Sequence, residues 1–426
     1  MYPNPQDVLP LAPRPSLDQY KKQAEELVRA CLSGAPDAIR EWAAPWPALA
    51  PRLEAFARDT LTSRRRCALT GAQFVVARMH GFESWPKFAA HLDGLARAGS
   101  PISNFEAAAE AVVAGDIVGL ERLIRQQPSL VRARSARAHR ATLLHYAAAN
   151  GVENYRQKTP ANAVAIVELL LSAGAEVDAE AEMYGGACTP LGLVATSIHP
   201  ERAGVQNALM QILIDHGAVI DRLGGVGNNH LFVRGCLANG RPAAAQFLAA
   251  RGARLDLEGA AGIGRLDVVQ SCFDDDDPRK PIVTVEQMRA AFGTACTYGQ
   301  LAVAEFLLGR GVPPDVRLGD HGQTGLHWAA LGGHADIVAL LLERHTPVDS
   351  VEERYHGTPL TWALHGWSDP PYGTPTDRYY EVVALLVRAG AGVNPRWIDH
   401  NAAGTPFGRR LQADPRMRAA LTGERS

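Results

Sequence analysis

No stretch of this sequence reaches 18 consecutive apolar residues, so a membrane-spanning helix is not expected. The opening MYPNPQDVLPLAPRP lacks the charged start and apolar run of a secretory leader. The six cysteines, at 31, 67, 188, 236, 272 and 296, form no CxxC pair, and their wide spacing reads as scattered reduced thiols, mostly buried. Charge of one sign is also missing. Lys and Arg total 43 against 45 Asp and Glu, a net charge of −2, which argues against a broad nucleic-acid surface while leaving room for a local patch. HExxH, GxxxxGK[ST] and GxGxxG are all absent. These absences point to a soluble, cytoplasmic chain with no declared chemistry.

What is present is a folding composition: 46% hydrophobic and 21% charged residues. Aromatics reach only 7%, whereas 40 Gly and 28 Pro ask for many turns. A chain of 426 residues exceeds what one core usually organises, and size alone implies about two to four domains.

Internal repetition changes that picture. An apolar run closing on Gly-Ala or a variant recurs as VELLLSAGAEVD, MQILIDHGAVID, AQFLAARGARLD, AEFLLGRGVPPD, VALLLERHTPVD and VALLVRAGAGVN. Its anchors are Gly174, Gly217, Gly252, Gly311, His345 and Gly390, preceded by a weaker copy, GLERLIRQQPSLV, anchored at Gln127. Successive anchors are 47, 43, 35, 59, 34 and 45 residues apart. A second phrase opens the units: ATLLHYAAANG at 141–151, CTPLGLVAT at 188–196, GQTGLHWAALGGHADIV at 322–338 and GTPLTWALHG at 357–366. Thr-Pro suits a helix start, because proline has no amide hydrogen to leave unpaired. A glycine after the second helix can adopt the left-handed conformation that ends it. One such helix pair cannot bury its own apolar face, so neighbours must stack.

The pattern resembles the ankyrin repeat. The unit GDHGQTGLHWAALGGHADIVALLLERHTPVD at 319–349 carries it best, through Thr324, Leu326, His327, Ala329, Ala330, Gly332, Gly333, Val338, Leu341 and Leu342. Gly325 replaces the usual Pro and His345 the usual Gly. The resemblance implies an all-α ankyrin-repeat solenoid over 101–425, of about seven or eight units, with degenerate units near 224–300 and a terminal cap near 398–425. A unit of about 33 residues leaves an excess of about 26 in the longest gap. LEGAAGIGRLDVV has the small-residue face and Val pair of a degenerate extra unit there, around 258–270.

Ahead of the array, residues 16–33, 36–43, 67–80 and 84–97 read as helices. Ser16 can cap the first, whose Tyr20, Ala24, Leu27 and Ala30 form one face. GFESWPKFAAHL resembles a helical module that often precedes bacterial ankyrin arrays. Residues 16–99 are therefore expected to form an N-terminal helical capping domain, with 1–15 as a flexible segment.

Three long inter-helix insertions are the first places to look for function, because loops grafted on a solenoid often form its binding rim. They are GVENYRQKTPANA at 151–163, SIHPERAGVQ at 197–206 and GWSDPPYGTPTDRY at 366–379. The first offers Tyr155 and Arg156 as binding residues. The third is aromatic and stiffened by prolines, and offers Trp367, Asp369, Tyr372, Arg378 and Tyr379. Trp367 and Tyr372 are its expected exposed anchors, and Trp362 is expected in the core.

Other chemistry finds weaker footing. His145 and His327 take the position at which the ankyrin resemblance implies hydrogen bonding within the stack. His356 and His365 bracket one short helix with Asp369 beyond, but their spacing does not place the two on one obvious helical face, so no metal and no cofactor is expected. Asp178, Asp221, Asp256, Asp315 and Asp349 recur too regularly for catalysis and are expected to make local turn hydrogen bonds. His230, Tyr184 and Cys188 break the regularity. Cys188 lies at a helix start, which can lower a thiol pKa, but no base accompanies it. GGVGNNH at 224–230 reads as a hairpin, Asp274–Asp277 as an exposed connector, and Arg64, Arg65 and Arg66 as a solvated face or anion site.

The leading expectation is a monomeric binding protein that recognises a protein partner through its concave face and insertion loops. The alternative is a small-molecule enzyme with a pocket formed by degenerate repeats and insertions. A third account is purely structural assembly. A closed polar cavity would favour catalysis, and an open groove with exposed aromatics a protein partner.

Overall fold

The computed structural model describes residues 7–63, 67–221, 232–273, 283–371, 374–392 and 405–423. The chain divides into two compact units, Met1–His230 and Leu231–Ser426.

The first unit opens with α1 (Leu17–Leu32), α2 (Ala38–Ala43), α3 (Ala50–Ser63), α4 (Leu69–Met79) and α5 (Trp85–Ala96). Ser16 caps α1, its hydroxyl accepting from the Gln19 N–H at 3.3 Å. Tyr20, Ala24 and Leu27 of α1 are buried, while Ala30 is only partly so. They pack with Val75, Val76, Phe82 and Phe88 in one apolar core. Helix α3 was not expected. Pro51 obscured its start, although Leu53, Ala57 and Leu61 have the spacing of a buried helical face.

Two expectations for this module are corrected. Residues 7–12 are tied down, because the Leu9 N–H donates to the Met79 carbonyl, the Ala12 N–H donates to the Tyr20 hydroxyl, and Asp7 pairs with Arg52 at 2.6 Å. The thiols are not all reduced either: Cys31 and Cys67 form a disulfide that clasps the end of α1 to the approach to α4. Cys188, Cys236, Cys272 and Cys296 are free.

Helix pairs follow in the same unit: α6 (Pro101–Ala114) with α7 (Ile117–Gln126), α8 (Leu143–Ala147) with α9 (Ala163–Ser172), and α10 (Pro190–Thr196) with α12 (Gln206–Asp215), the short α11 (Ile198–Arg202) lying between the last two. Helix α5 packs on α6. A Cβ on Gly94 would lie 2.6 Å from the Ile102 side chain, so only glycine permits this approach.

The second unit repeats the pairing: α13 (Phe232–Ala238) with α14 (Pro242–Ala249), α15 (Leu257–Gly262) with α16 (Leu266–Ser271), α17 (Val285–Thr297) with α18 (Leu301–Gly309), α19 (Gly325–Gly332) with α20 (Ala335–Glu343), and α21 (Pro359–Ser368) with α22 (Arg378–Arg388). Helices Pro406–Ala413 and Pro415–Thr422 close it. The compact segment 257–269 thus builds a helix pair of its own. A two-stranded hairpin pairs Arg317 with Thr324 and Leu318 with Gln323. Each unit is an all-α stack of helix pairs, preceded in the first by extra N-terminal helices.

Local chemistry sets each pair. Thr189 caps α10 through the Gly192 N–H at 3.3 Å, with Pro190 in the first turn. Gly311 ends α18 at φ 94°, and His345 holds the same place after α20 at φ 60°. Neighbouring pairs are joined by buried histidines. His145 Nδ1 accepts from the Thr142 N–H at 3.1 Å, and Nε2 donates to the Cys188 carbonyl in the next pair at 3.0 Å. His327 repeats this with the Thr324 N–H at 3.2 Å and the Gly357 carbonyl at 3.2 Å.

The recurring aspartates also act between pairs, which corrects the expectation of local turns for two of them. Asp178 accepts from the Val219 N–H at 3.1 Å, and Asp349 accepts from the Gly392 N–H at 3.0 Å. Each carboxylate reaches the corresponding loop of the next pair. Asp256 does act locally, accepting from the Gly259 N–H at 2.7 Å.

Candidate functional site

In the second unit, α19 and α21 lie side by side. Leu326, Ala329 and Ala330 of α19 face inward, as do Leu360, Ala363 and Leu364 of α21. The intervening positions leave Trp328, Leu331, Trp362 and His365 partly or fully exposed. Trp328 and Trp362 meet edge to face, with ring centroids 5.1 Å apart. Together they line a groove of about 960 Å³ that also includes Leu364, His365 and the finger residues Arg354, Tyr355 and His356.

The finger at 350–357 is rigid for a definable reason. Glu352 is fully buried, and its carboxylate accepts from the N–H groups of Arg354 at 2.8 Å, Tyr355 at 2.8 Å and Gly357 at 3.0 Å. Burial pushes this carboxyl up, but the three backbone donors prevail and hold it below its usual range. The Glu353 N–H donates to the His321 carbonyl at 2.9 Å, fixing this finger to the preceding one. Tyr355 therefore projects with 68% of its surface exposed, the Arg354 guanidinium 5.1 Å from its ring centroid. His356 sits at φ 53°, a left-handed conformation uncommon outside glycine.

Trp328 also borders a second cleft of about 530 Å³, lined by Glu258, Arg289, Thr294, Tyr298 and Arg317 among others. There Glu258 is already engaged, pairing with Arg234 at 2.7 Å and accepting from the Thr294 hydroxyl at 3.2 Å.

Residues 290–396 match the family described as ankyrin repeats, in 3 copies, and residues 139–182 match the single ankyrin repeat. Those two segments are the ones that match ankyrin repeats. The chain is similar to the human ASB11 ankyrin repeat domain in its crystal structure, at 20% identity over 67% of this chain and 99% of that one, with a TM-score of 0.32. Comparison with curated proteins gave no match.

The ankyrin helices overturn the expected exposure of Trp367. It is 0% exposed. Helix α21 extends to Ser368, so Leu360, Ala363, Leu364 and Trp367 form one buried stripe at helical spacing. Trp367 packs edge-on against Phe407, and the Arg410 guanidinium lies 4.4 Å from its ring centroid. Trp362, expected in the core, falls off that stripe and faces the groove. Tyr379 is likewise buried, its hydroxyl donating to the Leu331 carbonyl at 2.8 Å. Asp369 and Arg378 are exposed at the end of α21 and the start of α22. Tyr372 lies outside the described residues.

In the first unit, the insert at 151–163 is drawn inward, because two of its charged residues complete a buried ion network. Arg156, expected to face a ligand, pairs with Glu106 at 2.8 Å and lies 3.4 Å from Glu110. Arg137 lies 2.5 Å from Glu106 and 2.6 Å from Glu153. The Tyr146 hydroxyl donates to Glu153 at 3.3 Å. Burial alone would push both carboxyls up, yet Arg137 and Arg156 outweigh it and hold Glu106 and Glu153 below their usual range. Tyr155 is half-buried beside Arg156, which lies 5.7 Å from its ring centroid. The insert at 197–206 is also knitted in: Gln206 Nε2 donates to the carbonyls of Val194, Ala195 and Ser197.

The remaining sequence candidates divide cleanly. Burial pushes the Cys188 thiol up to about 11, the reverse of activation, and the thiol donates to the Met183 carbonyl. The Tyr184 hydroxyl donates to Asn150 at 2.8 Å. His356 and His365 both line the groove. Among the described residues, no three His, Cys, Asp or Glu side chains are placed to hold a metal, and no helix is long and apolar enough to cross a membrane. His230, Arg64–Arg66 and Asp274–Asp277 lie outside the described residues.

Sequence reasoning missed Trp328, Arg354, Tyr355 and the outward face of Trp362. The helical stripe through α21 was a usable signal for Trp362. The finger carried a weaker one, a large aromatic set among charged residues at 352–356.

Proposed function

We propose that this chain binds a protein partner, and that the groove between the Trp328–Trp362 floor and the finger at 350–357 receives an extended segment of it. Ankyrin repeats generally mediate protein–protein recognition. The observation that carries the reading is the partly exposed indole pair beside a finger rigidified by Glu352. Aromatic and arginine side chains held in place before binding lose little entropy on association. The buried Trp367 and Tyr379 serve this site from behind: Tyr379 anchors α22 to the Leu331 carbonyl, and Leu331 lines the groove.

The test is selection of random peptides of about 12 residues on the full chain, followed by affinity measurement against Trp362→Ala. Groove binding predicts peptides that lose about tenfold or more in affinity with the variant. Selected peptides whose affinity is unchanged by Trp362→Ala would contradict it.

A further inference from the structure

We infer that the segment received by this groove is acidic, a stretch of a protein partner carrying Asp or Glu beside an apolar or aromatic anchor. The inference rests on the groove reading above and adds the chemistry of the occupant. Among its described lining residues the groove carries one permanent charge, the Arg354 guanidinium. Arg354, His356 and His365 line it, and among the described residues no Asp or Glu does. The nearest buried carboxylate, Glu352, is turned to three backbone N–H groups of the finger.

Arg354 and the two indoles also lack acceptors among the described residues. Among the described residues, the Arg354 guanidinium has no carboxylate partner, only the face of Tyr355 at 5.1 Å. The indole N–H groups of Trp328 and Trp362 have no acceptor among the described residues either; the rings contact each other, and Trp362 also meets His327 at 5.4 Å. Buried arginines elsewhere behave differently: Arg137 and Arg156 each face two carboxylates or more. A planar guanidinium at a groove mouth matches a carboxylate through paired, charge-assisted hydrogen bonds. The indole pair with Leu331 and Leu364 supplies the apolar floor for a neighbouring side chain. A basic segment would meet the Arg354 charge with no lining carboxylate among the described residues to offset it, a mismatch that disfavours it.

The peptide selection tests this through a separate readout. Among peptides whose binding depends on Trp362, Asp and Glu should be enriched about twofold or more over the starting library, with an aromatic residue or Leu nearby. A synthetic peptide of the enriched sequence should lose about tenfold in affinity with Arg354→Glu, a change at an exposed position whose fold is checked by thermal melting. Its affinity should also fall as NaCl rises from about 50 to about 500 mM. Groove-dependent peptides that are rich in Lys and Arg, or that carry no charge bias, overturn the acidic occupant and leave the groove reading standing. Failure to recover any peptide that depends on Trp362 overturns both.

Discussion

Trp328 and Trp362 meet with their ring planes at 84°, one from each of two consecutive first helices. Five residues beyond Trp362, the same helix points Trp367 to the opposite side, where it is fully buried. The two tryptophans of α21 therefore have opposite consequences. Trp367→Ala should cost about 3–5 kcal/mol of stability, as deletion of a buried aromatic does. Trp362→Ala should cost about 1 kcal/mol or less, as a partly exposed position does. Chemical denaturation of both variants decides it, and equal losses would contradict the assignment of faces.

The helix end at His345 offers a stabilising change. His345 sits at φ 60° where its counterparts Gly174 and Gly311 sit at 91° and 94°. A left-handed non-glycine residue carries a strain of about 1 kcal/mol. His345→Gly should therefore raise stability by about 0.5–1 kcal/mol, the gain being trimmed by the greater freedom of glycine in the unfolded chain. A lower urea midpoint for the variant would show that His345 makes a compensating interaction.

Acid should destabilise the chain in two stages. Burial holds His80, His91 and His145 down to about 4 in the fold. The unfolded chain takes up these protons first, so their effect is a loss of stability as pH falls from about 6.5 to about 4. Glu106 and Glu153 are held below their usual range, so their contribution is complete above about pH 4.5 and fades as pH falls further. Among the described residues, His91 has no hydrogen-bond partner at either ring nitrogen. His91→Leu should flatten the first stage in a melting series across this range, and an unchanged slope would remove His91 from the account.

The ion network should be fragile to one-sided change. Glu153→Gln removes the buried charge that faces Arg137 at 2.6 Å. Loss of one partner leaves the other charge buried and uncompensated, which typically costs about 3–5 kcal/mol. Urea denaturation at neutral pH measures it. A loss below about 1 kcal/mol would place the network among the weak, solvated pairs.

The Cys31–Cys67 bridge should stabilise the N-terminal module by about 2–4 kcal/mol. Cys31→Ser should lower the module's melting temperature under non-reducing conditions, and added reductant should bring the wild type to the same value. Identical melts with and without reductant would mean that the bridge contributes nothing.

The sequence made the repeats legible because their determinants are local. Thr-Pro starts, glycine ends and small-residue faces act within one helix pair, and Thr189, Gly311 and the segment 257–269 behave accordingly. Contacts between pairs were harder to read. Asp178 reaches the Val219 amide, Arg156 reaches Glu106, and Cys31 reaches Cys67, and no local pattern specifies those partners. The insert at 366–379 misled for a further reason. Composition marked it as a binding loop, while the helical stripe of Leu360, Ala363, Leu364 and Trp367 runs into it and takes its first aromatic into the core.

Photo-crosslinking tests the central claim most directly. Benzoylphenylalanine is placed at Tyr355 in one protein and at Asp369 in another, and each is irradiated with the groove-selected peptide. Both positions are exposed, one on the finger and one in the third insert. The account predicts a peptide crosslink from position 355 that Trp362→Ala abolishes, and none from position 369. A crosslink from 369 alone would move the binding site to the insert and contradict it.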